Sequence, residues 1–437
     1  MVIDEQVVLG RIRRHILPLL MLCYFAAYLD RVNLSFAALS MNADLGLSAS
    51  VFGAGAGIFF LGYVLFEVPS NMAMQRFGAR RWFARIMLSW SVISLLFAFV
   101  RTTPQFLGLR FLLGVAEAGF YPGVMLFLTR WFPSASRARM IGAFAVALPA
   151  SAAIGAPVSG FILNLHGFLG LRGWQWLFIL EALPSLVLGF VLLRKLVDSP
   201  REAHWLAADE RAWLERTLAA ERRALPPSSA HGAAGAWGAL RNPLVWLLGF
   251  IYCGIVAANY GVSFFLPQIV RAFGVSLTAV GLLSSLPFVA GALGLLWWGA
   301  RSDKRRERRW HLLVPGIVAV LALIVAAATD YPPLRFGALV CAGFGAFANL
   351  PVFWTLPASM LPESEAPAGI AVVSSIGNVA GFAAPYAVGA LKDMTGTFAS
   401  GMAALAVFIA VTVVVAARVV NRRSGVAQGL VAPDAGA

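Results

Sequence analysis

The chain has 437 residues, 60% of them apolar and only 12% charged, with a formal net charge of +14. A water-soluble globular domain carries about 25% charged residues, so this composition excludes one and points to a chain solvated by lipid. The basic residues sit in short clusters between apolar runs, which argues against nucleic acid as a partner and for a bilayer.

Residues 1–10 are polar and mildly acidic, and the first apolar stretch is long and carries Asp30-Arg31, so no cleaved signal is expected. Crossing about 30 Å of hydrocarbon takes roughly 20 apolar residues. Twelve runs meet that length: 16–40, 52–74, 82–100, 104–131, 140–165 and 174–195, then 243–270, 276–300, 311–330, 333–361, 367–391 and 397–420. The pattern predicts an all-α integral membrane protein with six spans in residues 1–195, a polar loop at 196–242, and six spans with a short tail in 243–437. Of the 34 lysines and arginines, 27 fall on one side if both termini share it, and five on the other. That bias places both termini and the central loop in the cytoplasm.

Within the loop, Ser199-Pro200-Arg201-Glu202 reads as a capping box, and Trp205, Leu206, Trp213, Leu214 and Leu218 give an interrupted apolar face. One or two short helices on the inner membrane surface follow, then a linker from Leu225 to Ala236. Cys23, Cys253 and Cys341 stand alone in apolar stretches and read as packing residues. The five histidines lie in loops or at span edges, where none is placed as a relay. Trp82, Trp131, Trp174 and Trp310, at span ends, are expected at the membrane interface. Glycines of spans two and five, including Gly55, Gly62, Gly142, Gly155 and Gly160, suit close helix approach.

Four ionisable groups lie where lipid should be: Asp30 and Arg31 in span one, Arg110 and Glu117 in span four. Each costs about 2.5–3.5 kcal/mol at mid-bilayer, so each needs a partner, water or a substrate. Seven positions separate Arg110 from Glu117, which puts them on one helical face about 10 Å apart, too far for a direct pair. Asp30 and Arg31 point about 100° apart, so one can face a cavity while the other faces a neighbouring helix. A guanidinium forks onto a carboxylate and keeps its charge at all working pH, so Arg31 and Arg110 are read as holding an anionic substrate. Asp30 and Glu117 are read as the proton carriers, freed for protonation when substrate takes their arginine partner. The bland alternative, a permanent lock between helices, stays open for both acids. Tyr63, Asn259, Tyr260, Trp354 and Asn378 are softer substrate-binding candidates, with helix packing as the alternative. Glu67 and Glu181 could belong to proton relays, although position favours gating or scaffold contacts.

The halves echo each other: Gly155-Ala156-Pro157 with Gly160 in span five matches Gly381 to Pro385 with Gly389 in span eleven. The loops after spans two and eight are both basic, Arg76 to Arg81 and Arg301 to Arg309. These loops resemble the loop signature of the major facilitator superfamily, with its acid at Asp303 in the second copy and Gln75 in its place in the first. Tyr28 to Asn33, Glu67 to Asn71, Arg110 to Gly119, Asn259-Tyr260-Gly261 with Leu266 to Val270, and Ser375 to Asn378 resemble the anion:cation symporter family. The resemblance covers nearly the whole chain except the linker and the tail after Arg423.

It implies twelve helices in two six-helix halves and alternating-access uptake of a small organic anion such as tartrate, a sugar acid or an aromatic carboxylate, coupled to protons. It also implies that the arginines touch substrate, that the acids couple protons, and that Tyr63, Trp354 and Asn378 line the site. Arg76, Arg80, Arg81, Asp303 and Lys304 would form cytoplasmic gate contacts, although orientation alone accounts for them. A monomer in the inner (plasma) membrane is expected, with no cofactor and no metal. An exporter or antiporter is the alternative, since Gly155-Ala156-Pro157 faintly resembles a span-five motif of drug antiporters. An enzyme is disfavoured because no nucleophile triad, metal ligand set or phosphate loop is present.

Overall fold

A computed structural model describes residues 4–224, 238–305, 307–361 and 366–429, and among these every regular element is helical. In the N-terminal part these are α1 (Glu5–Leu45), α2 (Ala49–Phe77), α3 (Ala79–Phe97), α4 (Thr103–Glu117), α5 (Phe120–Thr129), α6 (Ser134–Ala145), α7 (Ala147–Ile162) and α8 (Gly173–Lys195). Helix α9 (Ala208–Ala224) follows in the loop. The remainder comprises α10 (Pro243–Ser263), α11 (Leu266–Arg271), α12 (Leu277–Arg305), α13 (Arg309–Ala328), α14 (Pro332–Ala348), α15 (Leu350–Met360), α16 (Ala366–Thr395) and α17 (Ala399–Gly429).

Local chemistry sets the ends. The Asp4 carboxylate accepts from the Gln6 and Val7 amides to start α1, and Gly46, at φ +64°, ends it. Ser48 caps α2, Thr102 caps α4, and Asn242 followed by Pro243 starts α10. Among the described residues, eleven stretches are long and apolar enough to cross a membrane. Helix α3 falls outside that set because Arg80, Arg81 and Arg85 occupy its first two turns; its 19 residues still span about 28 Å. It packs along α8 and α4 as the twelfth helix.

The chain forms two compact units: Met1–Ser228 with Leu266–Ser285, and Ser229–Phe265 with Leu286–Ala437. The sequence-based boundaries at 195 and 242 leave Leu266–Ser285 on the C-terminal side. The structure groups that stretch with the first unit, where α11 lies against α1 and Gly281 meets Gly160 backbone to backbone.

Four expected spans are broken rather than continuous, span five dividing at Val146 between α6 and α7. Span four divides at Gly119, whose φ of +84° ends the α4 ladder just after Glu117. A Cβ at Gly119 would lie 2.5 Å from Ser70 Oγ, so both conformation and space demand glycine. Span seven divides between α10 and α11, and span ten at Asn349, where Pro351 opens α15.

In the loop, the expected capping box yields only a single 3₁₀ turn at Pro200–Glu202. The helix itself starts at Ala208, after Leu206 turns inward. Leu206, Leu214 and Leu218 are buried as the apolar face requires, and the Trp205 ring stacks on His15 at 4.3 Å and on Trp131 at 5.8 Å. Two ion pairs tie α9 down: Arg11 to Glu210 at 2.8 Å and Arg137 to Glu221 at 3.3 Å. The expected linker, Leu225 to Ala236, lies outside the described residues. Trp131 and Trp174, at span ends, are covered by protein: the first stacks on Trp205 and the second donates to Asp44 at 2.7 Å. Gly142 faces open space and is not a point of close approach.

Candidate functional site

Helices α2 and α4 come together through paired glycines. A Cβ at Gly62 would lie 2.5 Å from the Phe111 carbonyl, and one at Gly114 would collide with the Phe59 carbonyl. This backbone contact fixes Arg110 beside α2. Its guanidinium, 1% exposed, donates to the carbonyl oxygens of Gly55 (2.9 Å) and Ala56 (3.3 Å).

Glu117, at the end of α4, meets a different arginine. As the helical spacing required, it does not pair with Arg110; Arg31 of α1 forms its ion pair. Glu117 is 3% exposed, while the Arg31 side chain keeps 12% of its surface. Both arginines contact the Phe59 ring, whose centroid lies 5.0 Å from the Arg31 guanidinium carbon and 5.1 Å from that of Arg110. Tyr63 at 5.5 Å and Tyr28 at 5.9 Å complete an aromatic collar around Arg31. Two guanidiniums within about 5 Å of one ring, with a single ion-paired acid, make a compact anion-attracting constellation.

Asp30 turns away from Arg31, as sequence neighbours on a helix must. Its carboxylate, 3% exposed, accepts from Trp90 Nε1 on α3 (2.5 Å), Ser185 Oγ on α8 (3.3 Å) and Asn33 Nδ2 (3.3 Å). The four intramembrane charges therefore fall into two neighbourhoods, Arg31, Glu117 and Arg110 around Phe59, and Asp30 among α1, α3 and α8. Phe59, Trp90 and Ser185 escaped sequence reasoning. An indole in mid-span needs an acceptor for its N–H, and that signal was available for Trp90. Nothing marked Ser185.

In the second unit the candidates sit on α10, α15 and α16, each partly exposed. Trp354 packs edge to face on Tyr252, ring centroids 4.8 Å apart, and Tyr252 also stacks on Phe353 at 5.1 Å. Gly377, next to Asn378, lies directly under the Tyr252 ring. Asn259 carries a buried Oδ1 without a hydrogen-bond partner, and Tyr260 stacks on Phe264 at 5.8 Å. Tyr252, missed in the sequence, is the residue that joins Trp354 to the Gly377 turn of α16.

The cytoplasmic loop residues are engaged locally. Asp303 pairs with Arg308 at 2.6 Å within its own loop, Arg76 lies 5.6 Å over the Phe77 ring, and Arg81 and Lys304 are exposed. The Arg80 amide donates to Asp198 Oδ1 at 2.7 Å, beside Gly78 at φ +86°. An acid at the start of α3 is thus supplied from residue 198, since Gln75 carries no charge.

The sequence from residue 20 to 385 matches the model of the Major Facilitator Superfamily. The chain belongs to that superfamily, and it is a multi-pass membrane transporter rather than an enzyme. A protein of Agrobacterium vitis named as a tartrate transporter is 44% identical over 98% of both chains. A quinolone resistance transporter of Acinetobacter baumannii is 37% identical over 91% of both. Among solved structures, a bacterial homologue of the human lysosomal transporter Spinster superposes with a TM-score of 0.76 at 18% identity, covering 93% of this chain and 97% of that one, which supports the fold alone.

Proposed function

We propose that the protein takes up a small organic anion together with protons, by alternating access of two six-helix halves in the inner membrane, with both termini cytoplasmic. The observation that carries this reading is the Arg31–Glu117 ion pair with Arg110 at the same Phe59 ring. A substrate carboxylate entering beside Arg31 competes with Glu117 for the same guanidinium. Once displaced, Glu117 sits buried without its cation and binds a proton. Arg110 adds positive potential behind the ring, and the Tyr63 and Tyr28 rings exclude water, which strengthens both contacts. Substrate and proton are then taken up together because each makes room for the other.

Trp354, Asn378, Asn259 and Tyr260 supply the shape and hydrogen-bonding groups that select among carboxylates. The relative named for tartrate supports a polar hydroxy-acid as substrate. Uptake of labelled tartrate and of sugar and aromatic acids into proteoliposomes, under imposed pH or sodium gradients, tests the reading. Glu117→Gln is expected to keep substrate exchange and lose accumulation against a gradient; accumulation by that variant would refute the proton role. The second reading, proton-coupled export, is favoured by the quinolone-resistance relative and is tested by the direction of transport in the same vesicles.

A further inference from the structure

Glu181, halfway along α8, is 2% exposed, and no lysine, arginine or histidine pairs with it among the described residues. Its Oε1 accepts from Ser159 Oγ of α7 at 2.7 Å, whereas Oε2 is fully buried without a partner. The side chain of Asn33 on α1, 0% exposed, neighbours both Glu181 and Asp30. Its Nδ2 donates to Asp30 Oδ1, and its Oδ1 is the second buried oxygen here that lacks a donor. Two orphaned acceptors on adjacent side chains are one hydrogen short. A proton on Glu181 Oε2, donated to Asn33 Oδ1, satisfies both atoms at once.

The two carboxyls have opposite surroundings. Asp30 receives three donors within hydrogen-bond distance, as an ionised group requires, while Glu181 has a bonded Oε1 and an Oε2 left open for a proton beside the Asn33 amide. We propose that Asp30 and Glu181 form a second proton-binding site, a carboxyl pair that holds one proton between its members through the Asn33 amide. With the proton on Glu181, Asn33 donates to Asp30. With the proton on Asp30, the amide turns over, accepts from Asp30 and donates to Glu181. No proton passes through the amide itself; its orientation follows the proton's location.

The charged groups facing the pair are few. Arg31 adjoins Asp30 in sequence and is held by Glu117, which itself acts on Asp30 electrostatically. Helix α7 contributes no ionisable residue, and the nearest charge on α3 is Arg85, five positions before Trp90 and lying over Trp82. Four helices thus meet at one shared proton, so a change at Asp30 is felt by α3, α7 and α8. The inference rests on the symport reading for its role and on geometry for its existence.

The test is infrared spectroscopy of the full-length protein in lipid nanodiscs, following the carbonyl stretch of protonated carboxyls on exchange from water to deuterium oxide. The expected result is a band lost in Glu181→Gln and shifted to higher frequency in Asn33→Leu, while Glu117→Gln leaves it in place. A band unchanged in Glu181→Gln would mean an ionised Glu181 and overturn the proposal, as would a band unmoved in Asn33→Leu. Ser159→Ala keeps the carboxyl but removes its one hydroxyl donor, and must also shift the band, which covers a poorly folding glutamine variant. Because the band reports no transport, its behaviour stands apart from accumulation by Glu117→Gln, which tests the symport reading alone.

Discussion

The two units bury different chemistry. Every buried aspartate, glutamate and arginine among the described residues (Asp30, Arg110, Glu117 and Glu181) lies in the first unit, whereas the one ionisable side chain buried among the described residues of the second is His311, at the start of α13 beside Glu307. The second unit offers aromatic rings and amides instead: Tyr252, Trp354, Asn259 and Asn378. An architecture built from two similar halves has therefore distributed its buried charge unevenly. In the proposed symport, ions are handled where titratable groups and guanidiniums are buried, and substrate shape is read where rings and amides are partly exposed. On this view, damage to the first unit removes coupling or folding, and damage to the second changes affinity.

The largest effect is expected from Arg110→Ala. It strips Glu117 of its second cation, leaves a cavity beside Phe59, and removes the donor that ties α4 to the Gly55 and Ala56 carbonyls. Breaking a buried ionic network by deleting one partner costs about 3–5 kcal/mol. Both exchange and uptake should disappear, with a lowered unfolding temperature in detergent. Arg110→Lys should recover folding better than transport, because an ammonium cannot fork between two carbonyls and lie over a ring. Full uptake by either variant would show that Arg110 is dispensable and break the contrast between the units.

A paired glycine test sharpens the contrast. At Gly114 an added methyl meets the α2 backbone at Phe59, which cannot move without separating two helices. At Gly377 its nearest neighbour is the Tyr252 ring, a side chain rather than backbone. Overpacking costs about 1–3 kcal/mol when the neighbour cannot yield. Gly114→Ala should therefore depress thermal stability and transport together. Gly377→Ala should stay folded and change mainly the apparent affinity. Comparable destabilisation by both would mean that the second unit is as rigid as the first.

The unevenness also explains what the sequence revealed. Span number and orientation were legible because hydropathy and arginine placement are one-dimensional signals. The separation of Arg110 from Glu117 was legible from helical pitch alone, which left substrate, water or another helix to meet the acid; the structure gives Arg31 of α1. The break at Gly119, the service of Asp198 to α3 in place of Gln75, and the Trp205 stack on His15 and Trp131 were not. Each depends on which residues distant in the chain meet in space. Asp30 lay in between: its direction away from Arg31 followed from sequence adjacency, while its donors, Trp90 and Ser185, come from helices three and six.

A smaller effect is expected from Trp354→Ala. Its edge-to-face contact with Tyr252 is worth about 0.5–1.5 kcal/mol, and 1.4 kcal/mol corresponds to a factor of ten. The apparent KM should rise about twofold to tenfold, with the ratio of protons to substrate unchanged. A change in that ratio would place Trp354 in coupling and erase the division of labour.

The smallest effect lies outside the membrane, where α9 is tied to the first unit. Burial pushes the Glu221 carboxyl up. The Ser134 backbone amide at 2.9 Å, the Ser134 hydroxyl at 2.8 Å and the Arg137 guanidinium outweigh it and hold the group below its ordinary value. A carboxyl lowered in the folded state contributes stability that is fully present above its unfolded pKa of about 4.3 and is lost as pH falls through the lower folded value. Because the pair is partly solvated, the contribution belongs in the range of about 0–1 kcal/mol. The unfolding temperature of Glu221→Gln should therefore trail the native protein slightly and constantly from pH 7 down to about 5. The gap should close only as the pH drops below about 4. A gap that opened on acidification instead would mean that protonated Glu221 is the form that binds Ser134, and that α9 is fastened by neutral hydrogen bonds rather than by charge.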